Sequence, residues 1–262
     1  DGCDEIIYGS MVVNNDGTGL HSTGLGHGDA LHVSNFDPSR PGFEVFMPHE
    51  SIKSNGGIGT SFRDARTGEI LWTTPGDEDV GRGMTADIDP RYPGAESWAS
   101  NSKTLYSAKG EPIGKCPGSF NFGIWWEGTL TRQLLDNAGK KGDWHGVVYR
   151  WDWENEKQVT VWENKEVRSN NWTKGNPVLS GDILGDWREE MIWRTKSGDE
   201  IRIYVTPHPT EHRFVTLMHD PQYRLAIAWQ NVSYNQPPHP GFFLGEGMEQ
   251  PPPPAIYVPI QE

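Results

Sequence analysis

Cysteine is nearly absent: Cys3 and Cys116 are the only two in 262 residues. That excludes a disulfide-stapled scaffold and any Cys-x-x-Cys metal or redox motif. The pair fits one bridge or two small buried hydrophobes. Basic residues are scarce as well, 23 against 36 acidic ones, for a formal charge of −13. Nucleic acid and anionic membranes are thereby excluded as partners, because phosphate binding needs clustered Lys and Arg. No apolar run approaches the roughly 18 residues of a membrane helix. Residues 1–10 also lack the basic and apolar regions of a signal peptide.

Glycine (31), proline (20) and tryptophan (12) are plentiful instead. Glycine and proline disfavour helix interiors, whereas aromatics suit pleated, half-buried surfaces. An all-β fold with many turns is expected.

The chain repeats itself. Asp37-Pro38-Ser39-Arg40-Pro41-Gly42-Phe43-Glu44 has a near twin in Asp89-Pro90-Arg91-Tyr92-Pro93-Gly94-Ala95-Glu96, and a looser third copy runs from Asp182 to Glu189. In each, a carboxylate follows the first aspartate by seven residues, where an apolar run begins. Residues 1–8 align with 186–193, so the chain is expected to start inside a motif and to continue a longer protein upstream. The matching acids Asp4, Glu44, Glu96 and Glu189 recur at 40, 52 and 93 residues, the last about two units. A unit of 40–50 residues is the size of a four-stranded propeller blade. Hairpins at 61–72, 104–113 and 192–201, each turning on a glycine, and strand-like alternation at 147–153 agree with it. One helical turn is expected near 130–135. The architecture expected is a β-propeller of about five blades over residues 1–245, with a proline-rich strap at 246–262.

Carboxylates recurring where loops enter strands make oxygen-rich sites suited to calcium. The candidates are Asp37, Glu44, Asp87, Asp89, Glu96, Asp182, Asp186 and Glu189. Each has a plainer reading as a turn-forming, solvated acid, which recurrence in register argues against. The densest cluster adds His27, Asp29, His32, His49 and Glu50. Histidine is commoner with transition metals, but the carboxylate excess favours a harder ion than zinc. Two cations stand out: Arg82, between Gly81 and Gly83, and Lys174. Both precede a repeat motif, so equivalent loops would bring them to one face, where a cation pair suits an anionic substrate.

The segments 27–33, 79–83, 86–94, 122–126, 185–190 and 229–238 resemble bacterial rhamnogalacturonan lyases of polysaccharide lyase family eleven, a likeness that runs from residue 1 to the tail. It implies the C-terminal part of an eight-bladed, calcium-bearing propeller that cleaves the rhamnogalacturonan I backbone of pectin by β-elimination. It also implies a bacterial, extracellular protein whose upstream blades complete the cleft. Carried over by motif, Arg82 and Lys174 match the basic pair at the scissile uronate, with Lys174 the preferred base. His27 falls in the active-site metal region and is the second choice as base, and Asp79 joins the ligand candidates. Asn171, Trp172, Thr173, Asn231 and Ser233 fall on substrate-contacting positions. Trp172 and Ser233 replace the smaller glycine and alanine of relatives. A calcium-stabilised propeller fragment that binds pectic carbohydrate without cleaving it is the alternative.

Overall fold

The computed structural model describes residues 3–232, 234–251, 253 and 254. Its strands form five successive antiparallel sheets. The first has three: β1 (Ile6–Tyr8), β2 (Met11–Val13) and β3 (Gly19–Ser22). The second runs β4 (His32–Ser34), β5 (Glu44–Pro48), β6 (Ile58–Asp64) and β7 (Ile70–Pro75). The third is β8 (Gly83–Ala86), β9 (Glu96–Ala99), β10 (Thr104–Tyr106) and β11 (Pro112–Lys115). The fourth is β12 (Phe122–Ile124), β13 (Gln133–Lys140), β14 (Asp143–Asp152) and β15 (Lys157–Asn164). In the fifth, β18 (Glu190–Thr195) pairs on one side with β19 (Ile201–Tyr204). Its other side pairs with two short strands in tandem, β16 (Val167–Arg168) and β17 (Leu179–Gly181). The loop between those two carries Lys174.

Neighbouring sheets pack face to face. Leu134, Tyr149 and Trp151 of the fourth sheet meet Met84, Trp98 and Leu105 of the third. The fourth sheet's other side buries Phe122, Ile124, Leu135 and Val148 against Val167, Met191 and Trp193 of the fifth. Aromatics supply part of this contact, including a stack of Trp72 in the second sheet on Tyr106 in the third at 6.0 Å and 26°.

The repeated acid is a backbone clamp. Glu44 Oε2 accepts from the Phe36 and Asp37 amides at 2.9 and 3.1 Å. Glu96 Oε2 accepts from Ile88 and Asp89 at 2.9 and 3.0 Å. In the fifth sheet the clamp is Glu190, not Glu189, with amides of Ile183 and Leu184 at 2.8 and 2.9 Å. Gln133 does the same for Trp126 and Glu127, both at 2.8 Å, in a sheet where no acid revealed the repeat. Each clamp opens a strand and satisfies amides of the loop that leaves the strand before it.

Glu189 faces inward to a buried network. Arg132, 1% exposed at its side chain, pairs with Glu189 Oε2 at 3.3 Å and donates to the Pro238 carbonyl at 2.7 Å. Its guanidinium lies 4.0 Å from the centre of the Trp125 ring. The other Glu189 oxygen accepts from the Tyr223 hydroxyl at 2.6 Å. From Arg132 a relay runs through His239 (3.1 Å) and His32 (3.0 Å) to the Gly83 carbonyl (3.0 Å). Burial holds both imidazoles neutral, His32 down to about 4 and His239 well below its ordinary value. His32 is therefore a core residue.

Several expectations are corrected here. Residues 130–135 carry no helical turn: Gln133 begins β13. The helix lies elsewhere, α1 (Pro221–Trp229), with Asp220 as N-cap and proline in its first turn. Among the described residues no strand follows Tyr204, so 205–245 is not a blade. Its prolines lack the N–H a ladder needs, and it packs instead through Leu217, Tyr223, Phe214 and Leu244 against Trp125 and Trp187. The described part of the expected strap has neither strand nor helix, and 255–262 lie outside the described residues. Cys116 is a half-buried thiol pushed up to about 11 by burial, while Cys3 is exposed, and no disulfide joins them. Among the described residues no helix is long and apolar enough to cross a membrane.

The clamp makes a direct prediction. Glu96→Ala strands two buried amides and is expected to cost about 2–4 kcal/mol in chemical denaturation. Glu96→Gln, which copies Gln133, is expected to stay within about 1 kcal/mol of wild type in metal-free buffer. Equal losses in both variants would show that the charge, not the amide bonds, is what Glu96 supplies.

Candidate functional site

The loops entering the first strands of the second to fifth sheets converge with the segment after α1. Residues 27–31 precede β4, 79–82 precede β8, 119–121 precede β12, and 169–178 divide β16 from β17. Gly28 sits where a Cβ would strike Met47 and the Pro48 carbonyl, so only glycine lets this loop cross β5.

Arg82 is part-buried, and its Nη1 donates to Asn121 Oδ1. Asn121 Nδ2 in turn donates to Asp136 Oδ1 at 2.6 Å. Burial lowers the Arg82 pKa, opposed by the charges of Asp136 and Asp29. Beside Arg82 lies a cavity of about 330 Å³, lined by Ser119, Asn121, Asp136, Asn137, Tyr149 and Gln158.

Lys174 ends a 3-10 turn, Trp172–Lys174, closed by Gly175 in the left-handed region at φ 67°. Its Nζ stands 3.7 Å from the centre of the Tyr234 ring. Burial and then the Arg82 charge lower its pKa, while Asp29 opposes them. The charges of both act on Lys174, and a Cβ on Gly81 would stand 3.6 Å from Asp29 Oδ2, so the Arg82 loop and Asp29 border one space. Tyr234 spans it: its hydroxyl bonds the Asp29 carboxylate, and that bond together with burial holds the phenol protonated.

The third group is His27, Asp29 and Glu50, with one ligand atom from each inside 4.8 Å, the single such cluster among the described residues. His27 Nδ1 lies 2.9 Å from Glu50 Oε2. Burial pushes Asp29 up to about 6 despite the Tyr234 bond. Its Oδ1 is buried without a partner. One imidazole, two carboxylates and an orphaned buried oxygen fit a divalent cation, and the spread suits the 2.3–2.6 Å bonds of calcium. Asp79 borders the cluster. It accepts from the Gly81 amide at 2.8 Å, and burial and the charge of Glu50 raise its pKa.

The remaining ligand candidates do not join this cluster. His49 contributes its backbone, while its imidazole faces Ser61 at 2.8 Å and is pushed down to about 4 by burial. Asp37 is paired with Lys109 at 2.6 Å, Asp89 with Arg91 at 2.6 Å, and Asp186 with Arg188. Asp182 accepts from Gly185, Thr216 and Leu217. Asp87 accepts from the Glu246 amide and is pushed up to about 7 by burial. Glu189 is consumed by Arg132, Tyr223 and the Trp125 amide. Glu44 and Glu96 are clamps: the second oxygen of Glu44 faces Arg40 Nε at 3.7 Å, while that of Glu96 is buried without a hydrogen-bond partner.

Of the substrate candidates, Trp172 presents its ring to solvent, 68% exposed, and holds a positive φ of 42° that glycine adopts more easily. Asn171 is exposed, and its carbonyl receives the Lys174 amide at 2.8 Å. Thr173 lies in the same turn. Asn231 is a clamp: its amide binds Asn176 at 2.6 Å and the carbonyls of Pro177 and Val178. Ser233 lies outside the described residues. Sequence reasoning missed Tyr234, Asn121 and Asp136. Asn121 had a usable signal, since it stands immediately before β12 as Arg82 stands before β8.

The model of rhamnogalacturonan lyase family 11, C-terminal domain, matches residues 1–254. The chain is 56% identical over 260 residues to rhamnogalacturonan endolyase YesW of Bacillus subtilis (strain 168), covering 99% of this chain and 40% of that protein. It is 55% identical over 271 residues to rhamnogalacturonan exolyase YesX of the same strain, covering 98% and 43%. The crystal structure of YesW superposes with a TM-score of 0.90 at 54% identity, over 97% of this chain and 42% of that one. That of YesX gives 0.93 at 54%, over 97% and 43%. The chain thus spans about two fifths of the length of these relatives. It belongs to the rhamnogalacturonan lyase family 11, matching its C-terminal domain.

Proposed function

We propose that this chain carries a catalytic face of a polysaccharide lyase that cleaves the rhamnogalacturonan I backbone at galacturonate by β-elimination. The observation that carries this reading is the pairing of Arg82 with a Lys174 whose pKa is lowered by burial and by Arg82 itself. The C5 proton of a uronate is weakly acidic while the neighbouring carboxylate keeps its charge. Arg82, fixed by Asn121, would neutralise that carboxylate and hold the enolate-like charge that develops. Lys174, as the free amine, would take the C5 proton. Electrons then form the C4–C5 double bond, the C4–O bond breaks, and the departing oxygen is protonated by the Lys174 ammonium or solvent. No water is consumed. The exposed Trp172 ring offers a stacking surface beside the turn.

Calcium is the proposed ion at His27, Asp29 and Glu50, where it would add positive charge beside the uronate carboxylate. The orphaned buried oxygens of Glu96, Glu190 and Asp87 support further structural ions at the sheet entries. Asp37, Asp89 and Asp186, already paired with cationic side chains, need none. The five sheets read as blades of a propeller completed by the rest of a longer, secreted bacterial protein.

The test is ultraviolet absorbance of the unsaturated uronate after incubation with rhamnogalacturonan. Lys174→Ala is expected to lower turnover by about 10²–10⁴-fold, and Arg82→Ala by about 10²–10³-fold. Reducing ends without absorbance would mean hydrolysis, and binding without product would leave only a carbohydrate-binding fragment.

The ion makes a second prediction through Asp29. Its folded pKa, about 6, lies above the ordinary value of 3.8. Asp29 therefore favours folding when protonated, and that contribution is lost as pH rises from about 4 through 6. In metal-free buffer, thermal melts of wild type relative to Asp29→Asn are expected to fall across that window. Millimolar calcium is expected to restore wild type alone. A difference that ignores both pH and calcium sinks the assignment.

A further inference from the structure

We infer that Asp136, on β13, is the positioning residue that fixes Arg82 and Lys174 relative to each other, an inference that rests on the function proposed above. Three observations meet at this side chain. First, it reaches Arg82 through one intermediary. Asn121 is held by Asp136 on its amide nitrogen and turns its amide oxygen to Arg82. Asn235 adds a bond to the Asn121 carbonyl at 2.6 Å. By claiming the amide nitrogen, Asp136 keeps the Asn121 oxygen turned to the guanidinium, where Asn235 Nδ2 also approaches it at 3.2 Å.

Second, Asp136 touches the turn that bears Lys174. A Cβ on Gly175 would stand 2.8 Å from Asp136 Oδ1 and 3.2 Å from the Asn137 amide. Glycine at this left-handed position thus lets the Lys174 turn seat directly on the carboxylate. Third, the next residue completes the grip: the Asn137 amide donates to Asp136 Oδ1 at 2.7 Å, and its side chain donates to the Trp172 carbonyl at 2.8 Å. One buried acid and its neighbour therefore hold the anion-binding group from one sheet and the base from another.

The burial of Asp136 fits a positioning role. It is 6% exposed, it lines the cavity beside Arg82, and its Oδ1 is shared between the Asn121 and Asn137 donors. A displacement of about 1 Å in a reacting pair can cost about 100-fold in rate, so a group that sets their separation is worth as much as one that touches substrate.

The experiment compares Asp136→Ala with Asp136→Asn in the full chain, folding being checked by circular dichroism. Asparagine keeps an oxygen that can accept from Asn121 and Asn137, while alanine does not. Two nuclear magnetic resonance signatures report the alignment without any assay. One is slow rotation of the Arg82 guanidinium, held by Asn121. The other is the upfield shift of the Lys174 ε-methylene under the Tyr234 ring. Asp136→Ala is expected to lose both, with turnover down about 100-fold and KM changed less than about threefold. Asp136→Asn is expected to recover most of each.

A folded Asp136→Ala with both signatures intact overturns the proposal. So does an asparagine variant as damaged as the alanine one, because charge rather than geometry would then be the contribution. If Asp136→Ala does not fold, Asn121→Ala decides: it should loosen Arg82 and leave the Lys174 signature, and an Arg82 restrained as tightly as in wild type refutes the link. Should wild type yield no unsaturated product, only the lyase reading fails, since the two signatures still judge Asp136.

Discussion

A guanidinium buried in a protein core needs compensating partners for its charge, and that requirement at Arg132 organises the molecule. Removing one partner of such a pair costs about 3–5 kcal/mol, because the other charge is left uncompensated. Arg132 meets the need by drawing on distant parts of the chain: Glu189 beside the fifth sheet, the Pro238 carbonyl and His239 of the tail, and the Trp125 face. The imidazole relay extends the same network to the second sheet and to the Gly83 carbonyl of the third. With the Gly83 carbonyl accepting from His32, Arg82 just before it is held at the edge of that network. The lateral order of four sheets is thus set by polar bonds that tolerate little sliding, over apolar faces that would tolerate more.

The repeat in the sequence was legible because each unit is local. A loop of a few residues, a hairpin and a clamp acid recur within one sheet, and aspartate, proline and glycine mark each turn. What the acids do was not legible, since composition alone does not separate a carboxylate that binds an ion from one that binds two amides. The slip from Glu190 to Glu189 has a sharper cause. Successive strand residues face opposite sides, so an error of one residue exchanges a clamp for a core ion pair. Gln133 escaped notice because the pattern was sought in acids, although an amide oxygen accepts equally well. The α1 helix was hidden by the prolines around it, even though Asp220 followed by Pro221 is a helix start.

For the site, Arg82 and Lys174 were legible as cations before repeat motifs in an acidic chain. Their surroundings were not. Tyr234, Asn121 and Asp136 lie 38 to 152 residues from the two cations in sequence and come together only when three sheets and the tail are aligned. Asn231 shows the converse limit: a side chain in a substrate-contacting motif spends its amide on Asn176 and two carbonyls.

Charge balance explains how so acidic a chain can present a site for an acidic polymer. Around Lys174 the two influences are opposed: Arg82 and burial favour the free amine, and Asp29 favours the ammonium. Asp29 is in turn restrained by burial and held by Tyr234, the same residue whose ring supports Lys174. Replacing Tyr234 by phenylalanine would keep the ring beneath Lys174 and remove the bond that partly offsets the burial of Asp29. Asp29 would then hold its proton to higher pH and oppose Arg82 less. The basicity of Lys174, lowered first by burial and then by Arg82, is therefore partly restored by Asp29, with Tyr234 lying against both.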